Sequence, residues 1–311
     1  MTRVAAVDCG TNSVRLLVAD ADPVTGELTE LDRRMEIVRL GQGVDRTGRL
    51  APEALERTFA ACRGYAEAVR ELGAERVRFV ATSATRDASN RDEFTRGVLD
   101  ILGVEPEVVT GDREAEFSFT GATHALSGAT HPGPYLVVDI GGGSTECVVG
   151  TERVSAARSV DIGCVRLTER HALSDPVTDA QAAALRADIA AALDEAAETV
   201  PLGEARTLVG LAGTVATVTG IALGLDAYDS AAIHHTAVGV DEVAAIADRL
   251  LRSTHAERAA IPVMHPGRVD VITAGAQILL AVMERAGAAE LIASEHDILD
   301  GIALHTARAG G

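Results

Sequence analysis

Two stretches of this chain set an aspartate ahead of small polar residues in the same order. In Val4-Ala-Ala-Val-Asp8-Cys-Gly10-Thr11-Asn12-Ser13 an apolar run ends at Asp8, turns through glycine, amide and hydroxyl residues, and resumes as apolar chain to Val18. In Tyr135-Leu-Val-Val-Asp139-Ile-Gly141-Gly142-Gly143-Ser144-Thr145-Glu146 the same grammar returns, and the aspartates stand 139 − 8 = 131 positions apart. Glycine lets backbone approach a ligand closely, and successive turn amides form a nest for an anion. Hydroxyls add donors. Thr11, Asn12, Ser13, Gly141, Gly142, Gly143, Ser144 and Thr145 are therefore candidate phosphate-binding residues. One such turn would be an ordinary hairpin, and an aspartate at a strand end an ordinary turn former. The doublet is what points to a shared phosphate and metal site. Asp139 and Glu146 flank the second turn as hard oxygen ligands for Mg2+ or another divalent cation, with Asp8 joining through water.

Other residues offer acid–base and anion chemistry. Glu114 falls at the start of a helix predicted over residues 113–126, where a carboxylate sits favourably against the helix dipole. An ionised carboxylate can orient and deprotonate water, but acidic residues at helix starts are equally ordinary capping chemistry. Glu116, two positions on, points about 200° away around the helix and is expected in solvent. Arg86 closes Thr82-Ser-Ala-Thr85 at a strand end, where a guanidinium can clamp phosphate through two hydrogen bonds or serve a surface ion pair. Gly210-Leu-Ala-Gly-Thr214 reads as close packing at a helix entry.

The elements that position these residues alternate. A strand–turn–strand opens the chain. Helices are expected over 52–72, 90–102 with Asn90 as N-cap, and 113–126, and strands over 76–82 and 105–110. The loop at 127–134, rich in glycine and proline, marks a domain boundary. Then come strand, helix (179–200), strand (207–211), further helices, a strand near 291–294 and a last helix over 297–309. This order indicates an α/β fold with mixed sheets, divided as 1–127 and 128–296, with the C-terminal helix (about 297–311) returning to the first domain.

Composition narrows the function. The 311 residues exceed one ordinary core. All 28 basic residues are arginine, so anions must be held by guanidinium or backbone amide. The net charge of −18 speaks against nucleic-acid binding and requires a locally positive site for any polyanion. Arg86 is expected innermost in such a strip, with Arg15, Arg39 and Arg113 beside it. The four cysteines show no metal or disulfide spacing and read as buried thiols in a reducing, cytoplasmic setting. No apolar run suits a signal peptide or a membrane span.

The two turn motifs resemble the paired phosphate loops of the exopolyphosphatase and guanosine pentaphosphate phosphohydrolase family, within the superfamily of actin, sugar kinases and heat-shock ATPases. Val38-Arg39-Leu-Gly41, Thr82-Ser-Ala-Thr85-Arg86, Gly111-Asp-Arg-Glu114-Ala115, Gly163-Cys-Val165 and Leu211-Ala-Gly-Thr214 are similar to further family motifs and occur in family order. One departure is Ile298-Leu299-Asp300-Gly301, where many members carry Leu-Arg-Glu-Gly. The resemblance implies two ribonuclease-H-like (actin-like ATPase) domains around a central cleft, and a homodimer. It assigns Glu114 as catalytic base and Arg86 as a phosphate ligand. The implied activity is Mg2+-dependent release of terminal phosphate from inorganic polyphosphate. Alternatives are guanosine pentaphosphate hydrolysis (with the tetraphosphate as product), a non-catalytic sensor of polyphosphate or alarmone, and an actin-like ATPase. Long members add a C-terminal helical region that this sequence lacks, which favours shorter polyphosphate.

Overall fold

The computed structural model describes residues 1–126 and 130–309. The chain forms two compact units. One is Met1–His124 together with the chain from Asp297 onward, and the other is Ala125–His296. The boundary expected at 127/128 lies outside the described residues.

The first unit is built on β1 (Thr2–Cys9), β2 (Ser13–Ala21), β3 (Leu28–Ile37), β4 (Arg76–Ala81) and β5 (Glu107–Val108), ordered β3-β2-β1-β4-β5. β1 and β2 pair antiparallel, and β1 and β4 pair parallel. β1 is covered on both faces, which explains its unbroken apolar run. The helices are α1 (Val44–Thr47), α2 (Pro52–Glu71), α3 (Ser83–Asp87), α4 (Arg91–Leu102) and α5 (Gly111–Thr123). Pro52 opens α2, where a missing N–H costs nothing.

The second unit repeats the plan with β6 (Tyr135–Ile140), β7 (Thr145–Gly150), β8 (Val154–Val160), β9 (Thr207–Leu211), β10 (Ala237–Gly239) and β11 (Glu290–Ala293), ordered β10-β11-β9-β6-β7-β8. Its helices are α6 (Cys164–Arg170), α7 (Asp179–Ala197), α8 (Ala212–Ala222), α9 (Ser230–Ile233), α10 (Val240–Arg252), α11 (His255–Ala259) and α12 (Ile272–Ala286). Each unit thus carries three antiparallel strands continued by parallel ones, with β10 added antiparallel to β11 at the edge of the second sheet, the ribonuclease-H-like arrangement. The final helix α13 (Ile298–Arg308) buries Ile298, Leu299, Ile302, Ala303 and Ala307 among Val4, Ala6, Leu17 and Val80 of the first unit.

Several local expectations change. Asn90 precedes α4 but does not cap it. Its amide instead accepts from the Leu50 N–H (2.8 Å) and donates to the Leu50 carbonyl (3.1 Å). α5 begins two residues before the predicted start, because the Thr110 hydroxyl caps it by accepting from the Arg113 N–H at 3.3 Å. The strand expected over 105–110 shrinks to the two residues of β5.

Candidate active site

The first hairpin closes with the Gly10 N–H donating to the Ser13 carbonyl at 2.9 Å. The carbonyls of its turn are occupied from the other side. Asn12 O accepts from the Val38 and Arg39 amides (3.0 and 2.8 Å), and Thr11 O accepts from Gly41 (2.8 Å). A Cβ on Gly41 would meet the Thr11 side chain, which would have to shift. These bonds hold the Thr11 and Asn12 carbonyls against the segment that follows β3. Thr11 and Ser83 share a hydroxyl–hydroxyl hydrogen bond of 2.9 Å.

The second hairpin is closed in the same manner, Gly141 N–H to the Ser144 carbonyl at 3.0 Å. Here the start of α6 does the holding. Cys164 N–H donates to Gly141 O (3.0 Å), and Val165 and Arg166 N–H donate to Gly142 O (2.9 and 3.0 Å). Arg166 Nε donates to Gly143 O at 2.6 Å. A Cβ on Gly163 would overlap the Gly142 carbonyl, so this docking requires glycine. All three glycine carbonyls are thereby turned toward α6. Ser144 is buried, and the Thr145 hydroxyl donates to the Ile162 carbonyl (2.6 Å) instead of standing free for a ligand.

The aspartates differ in their partners. Asp8 stands opposite Arg15 in the β1–β2 ladder. Arg15 donates to Asp8 Oδ2 from Nε (3.1 Å) and Nη2 (2.7 Å), and its Nη1 pairs with Asp297. Asp8 Oδ1 is buried with no hydrogen-bond partner. Burial pushes the Asp8 carboxyl above its usual range, and Arg15 opposes this without reversing it. Asp139 stands opposite Glu146 in the β6–β7 ladder. They are 7% and 1% exposed, which puts two carboxylates on one face of a buried register pair. Directly opposed like charges destabilise a sheet, so this pair suits a divalent cation. Ser159 donates to Glu146 Oε1 at 2.7 Å and fixes its orientation. Among the described residues no group of three or more His, Cys, Asp or Glu is arranged to hold a metal. Mg2+ requires no such cage, since it keeps waters and takes substrate oxygens.

Glu114, 7% exposed, lies in the first turn of α5. Arg86 donates from Nη1 to Glu114 Oε2 (3.3 Å) and to the Val109 carbonyl (3.0 Å). Arg86 therefore faces the candidate base rather than open solvent. Glu116 is half-exposed and pairs with Arg113. Two of the arginines expected in a positive strip are paired within the protein. Arg15 is committed to two buried carboxylates, and Arg113 pairs with Glu116 while lying 4.4 Å from the Phe117 ring centroid. Sequence reading missed Arg166 and Ser159. The signal for Arg166 was its place directly after Gly163-Cys-Val165.

The four cysteines are buried and free. Burial pushes the Cys164 thiol up to about 11. Gly210-Leu-Ala-Gly-Thr214 forms the junction of β9 and α8, and the Arg268 guanidinium lies against Gly213, so this turn is filled by packing. No helix among the described residues is long and apolar enough to cross a membrane.

Duplicated ribonuclease-H-like units, each opening on an aspartate–glycine hairpin whose turn carbonyls are hydrogen-bonded by a following segment, define an α/β protein of repeated plan. The sequence profile of the Ppx/GppA phosphatase family matches residues 17–308, and the chain belongs to that family. It is 51% identical to exopolyphosphatase 2 of Mycobacterium tuberculosis, over 99% of both chains. Among solved structures it is similar to an exopolyphosphatase-like protein (44% identity, 99% of both chains, TM-score 0.94). It is also similar to the Aquifex aeolicus Ppx/GppA family member (30% identity, 98% of this chain and 97% of that one, TM-score 0.80).

Proposed function

We propose that this protein is an exopolyphosphatase, releasing terminal orthophosphate from inorganic polyphosphate with Mg2+ or another divalent cation. The observation that supports this most is the Gly141–Thr145 turn. Its carbonyls are tied back and it is flanked by the opposed pair Asp139 and Glu146. In this reading the amides of the turn hold terminal phosphate oxygens, and Asp139 and Glu146 hold the cation, with Asp8 contributing through water. A bound Mg2+ would draw charge from the phosphoryl oxygens. Glu114 takes a proton from water as its oxygen bonds to the terminal phosphorus and the bridging P–O bond breaks. The bonding pair leaves with the shortened chain. Arg86 steadies Glu114 and the departing charge. Positioning and electrostatics carry most of the rate in such transfers.

The 51% identity to a protein named as an exopolyphosphatase supports polyphosphate as the substrate. Phosphate release should be measured from polyphosphates of defined length and from guanosine pentaphosphate, with and without Mg2+. Polyphosphate is expected to be the faster substrate, and release to depend on the cation. Glu114→Gln should lower kcat by about 10² to 10⁴ with the fold intact. Turnover above about half of wild type in that variant would remove Glu114 from the mechanism, and preferential cleavage of guanosine pentaphosphate would reassign the substrate.

A further inference from the structure

We propose that Arg166 is a positioning residue for phosphate binding, acting through the Gly143 carbonyl. The inference rests on the reading of Gly141–Thr145 as the phosphate loop. Three of the four hydrogen bonds that turn this loop toward α6 come from backbone amides and do not depend on side-chain identity. The fourth is Arg166 Nε to Gly143 O, at 2.6 Å the shortest of the set. It acts on the last glycine before Ser144. There the backbone must swing from turn to strand while its carbonyl stays away from any bound anion.

The Arg166 side chain is 13% exposed, and it makes a long ion pair of 3.8 Å with Asp161, which is 76% exposed. The guanidinium is thus largely shielded beneath the loop, while that partner is loose and solvated. Its Nε fixes the Gly143 peptide in the turn. In the first hairpin the Thr11 and Asn12 carbonyls are held by backbone amides from Val38, Arg39 and Gly41.

Two measurements test this. Calorimetric binding of tripolyphosphate, in Ca2+ to suppress turnover, should weaken by at least about tenfold in Arg166→Ala, since hydrogen bonds involving a charged group contribute about 1.5–3 kcal/mol. Millimolar guanidinium should restore part of that affinity and leave wild type unchanged. Arg166→Lys keeps charge and bulk, so it should fold, and it should fall between the two. Arg158→Ala, which removes a surface pair with Glu195, should bind as wild type does. The second measurement is amide exchange in the peptide covering residues 141–147, which should quicken in Arg166→Ala without ligand. Exchange and affinity both unchanged in Arg166→Ala and Arg166→Lys would overturn the proposal. Faster exchange in a protein whose wild type binds no tripolyphosphate would instead overturn the phosphate-loop reading and leave Arg166 as a structural clamp.

Discussion

The two hairpins share a scaffold and differ in charge. Each is closed by one turn hydrogen bond, Gly10 to Ser13 and Gly141 to Ser144, at the same offset of 131 residues. In each, a segment following the third strand of the hairpin sheet ties back the turn carbonyls, through Val38, Arg39 and Gly41 or through Cys164, Val165 and Arg166. The residue opposite the aspartate departs from this equivalence. It is Arg15 in the first unit and Glu146 in the second. One aspartate is met by a guanidinium of the protein itself, and the other shares its face with a second carboxylate. The bonds that tie back the turn carbonyls are common to both units, and in the proposed function the cross-strand side chain is what sets Asp139 apart as a cation ligand.

The sharpest way to break this comparison is the same truncation at the two equivalent positions. Arg15→Met leaves Asp8 and Asp297 buried without their cation, and removing one partner of a buried ionic group typically costs about 3–5 kcal/mol. Glu146→Met removes one of two opposed carboxylates. It should leave stability in Mg2+-free buffer unchanged or higher, while abolishing the response to Mg2+. Chemical denaturation of both variants reads the two signs. Equal losses would show that the hairpins are alike in charge as well as in shape.

Smaller effects are expected at the glycines. Gly163→Ala forces a Cβ into the Gly142 carbonyl, whereas Gly41→Ala meets the Thr11 side chain, which can adjust. Overpacking costs about 1–3 kcal/mol. The backbone clash at 163 should fall at the upper end and carry a rise in KM, and the clash at 41 should fall at the lower end. Below these comes the metal itself. Asp139→Asn and Glu146→Gln should each raise the Mg2+ concentration for half-maximal activity by about tenfold or more, and Ser159→Ala by about tenfold, as for groups that orient a ligand. Asp8→Asn should shift it less. A larger shift for Asp8→Asn than for Asp139→Asn would move the cation to the first hairpin.

Much of this arrangement was legible in the sequence, because the hairpins are local. An apolar run, an aspartate, a glycine turn and a second apolar run fall within about fifteen residues, and the period of the repeat is visible directly. The third strands, β3 and β8, were not legible. Both lie at a sheet edge with largely exposed or half-buried residues, so neither shows an apolar run. Pairings across long separations were hidden too. Nothing local signals that Arg15 reaches Asp297, or that Asp300 meets Arg33 at 2.8 Å. That second pair gives a role to the Asp300 of the Ile298-Leu299-Asp300-Gly301 run, whose spacing alone offered none. Asn90 was misread because a good capping residue had a better partner in Leu50, forty positions away.

The finest test of the comparison is the pH dependence of Asp8. Its contacts with Arg15 would hold a surface carboxylate below its usual range, yet burial dominates and Asp297 adds to it, so the Asp8 carboxyl is raised. The folded protein therefore binds this proton more tightly than the unfolded chain does. Its contribution to stability is fully present below the unfolded carboxylate value, near 3.9, and is lost as pH rises through the higher folded value. Asp8→Asn carries no such proton, so wild type should lose stability relative to Asp8→Asn as pH climbs across that window and run parallel to it above. Denaturation of both proteins from about pH 3.5 to 7 measures the difference. The change should be smaller than the loss in Arg15→Met, because Arg15 keeps Asp297 when Asp8 is neutralised. Were wild type instead to gain on Asp8→Asn with rising pH, the Arg15 pairing would outweigh burial. Asp8 would then be a true ion-pair partner, and the contrast with Asp139 would be wider than burial alone allows.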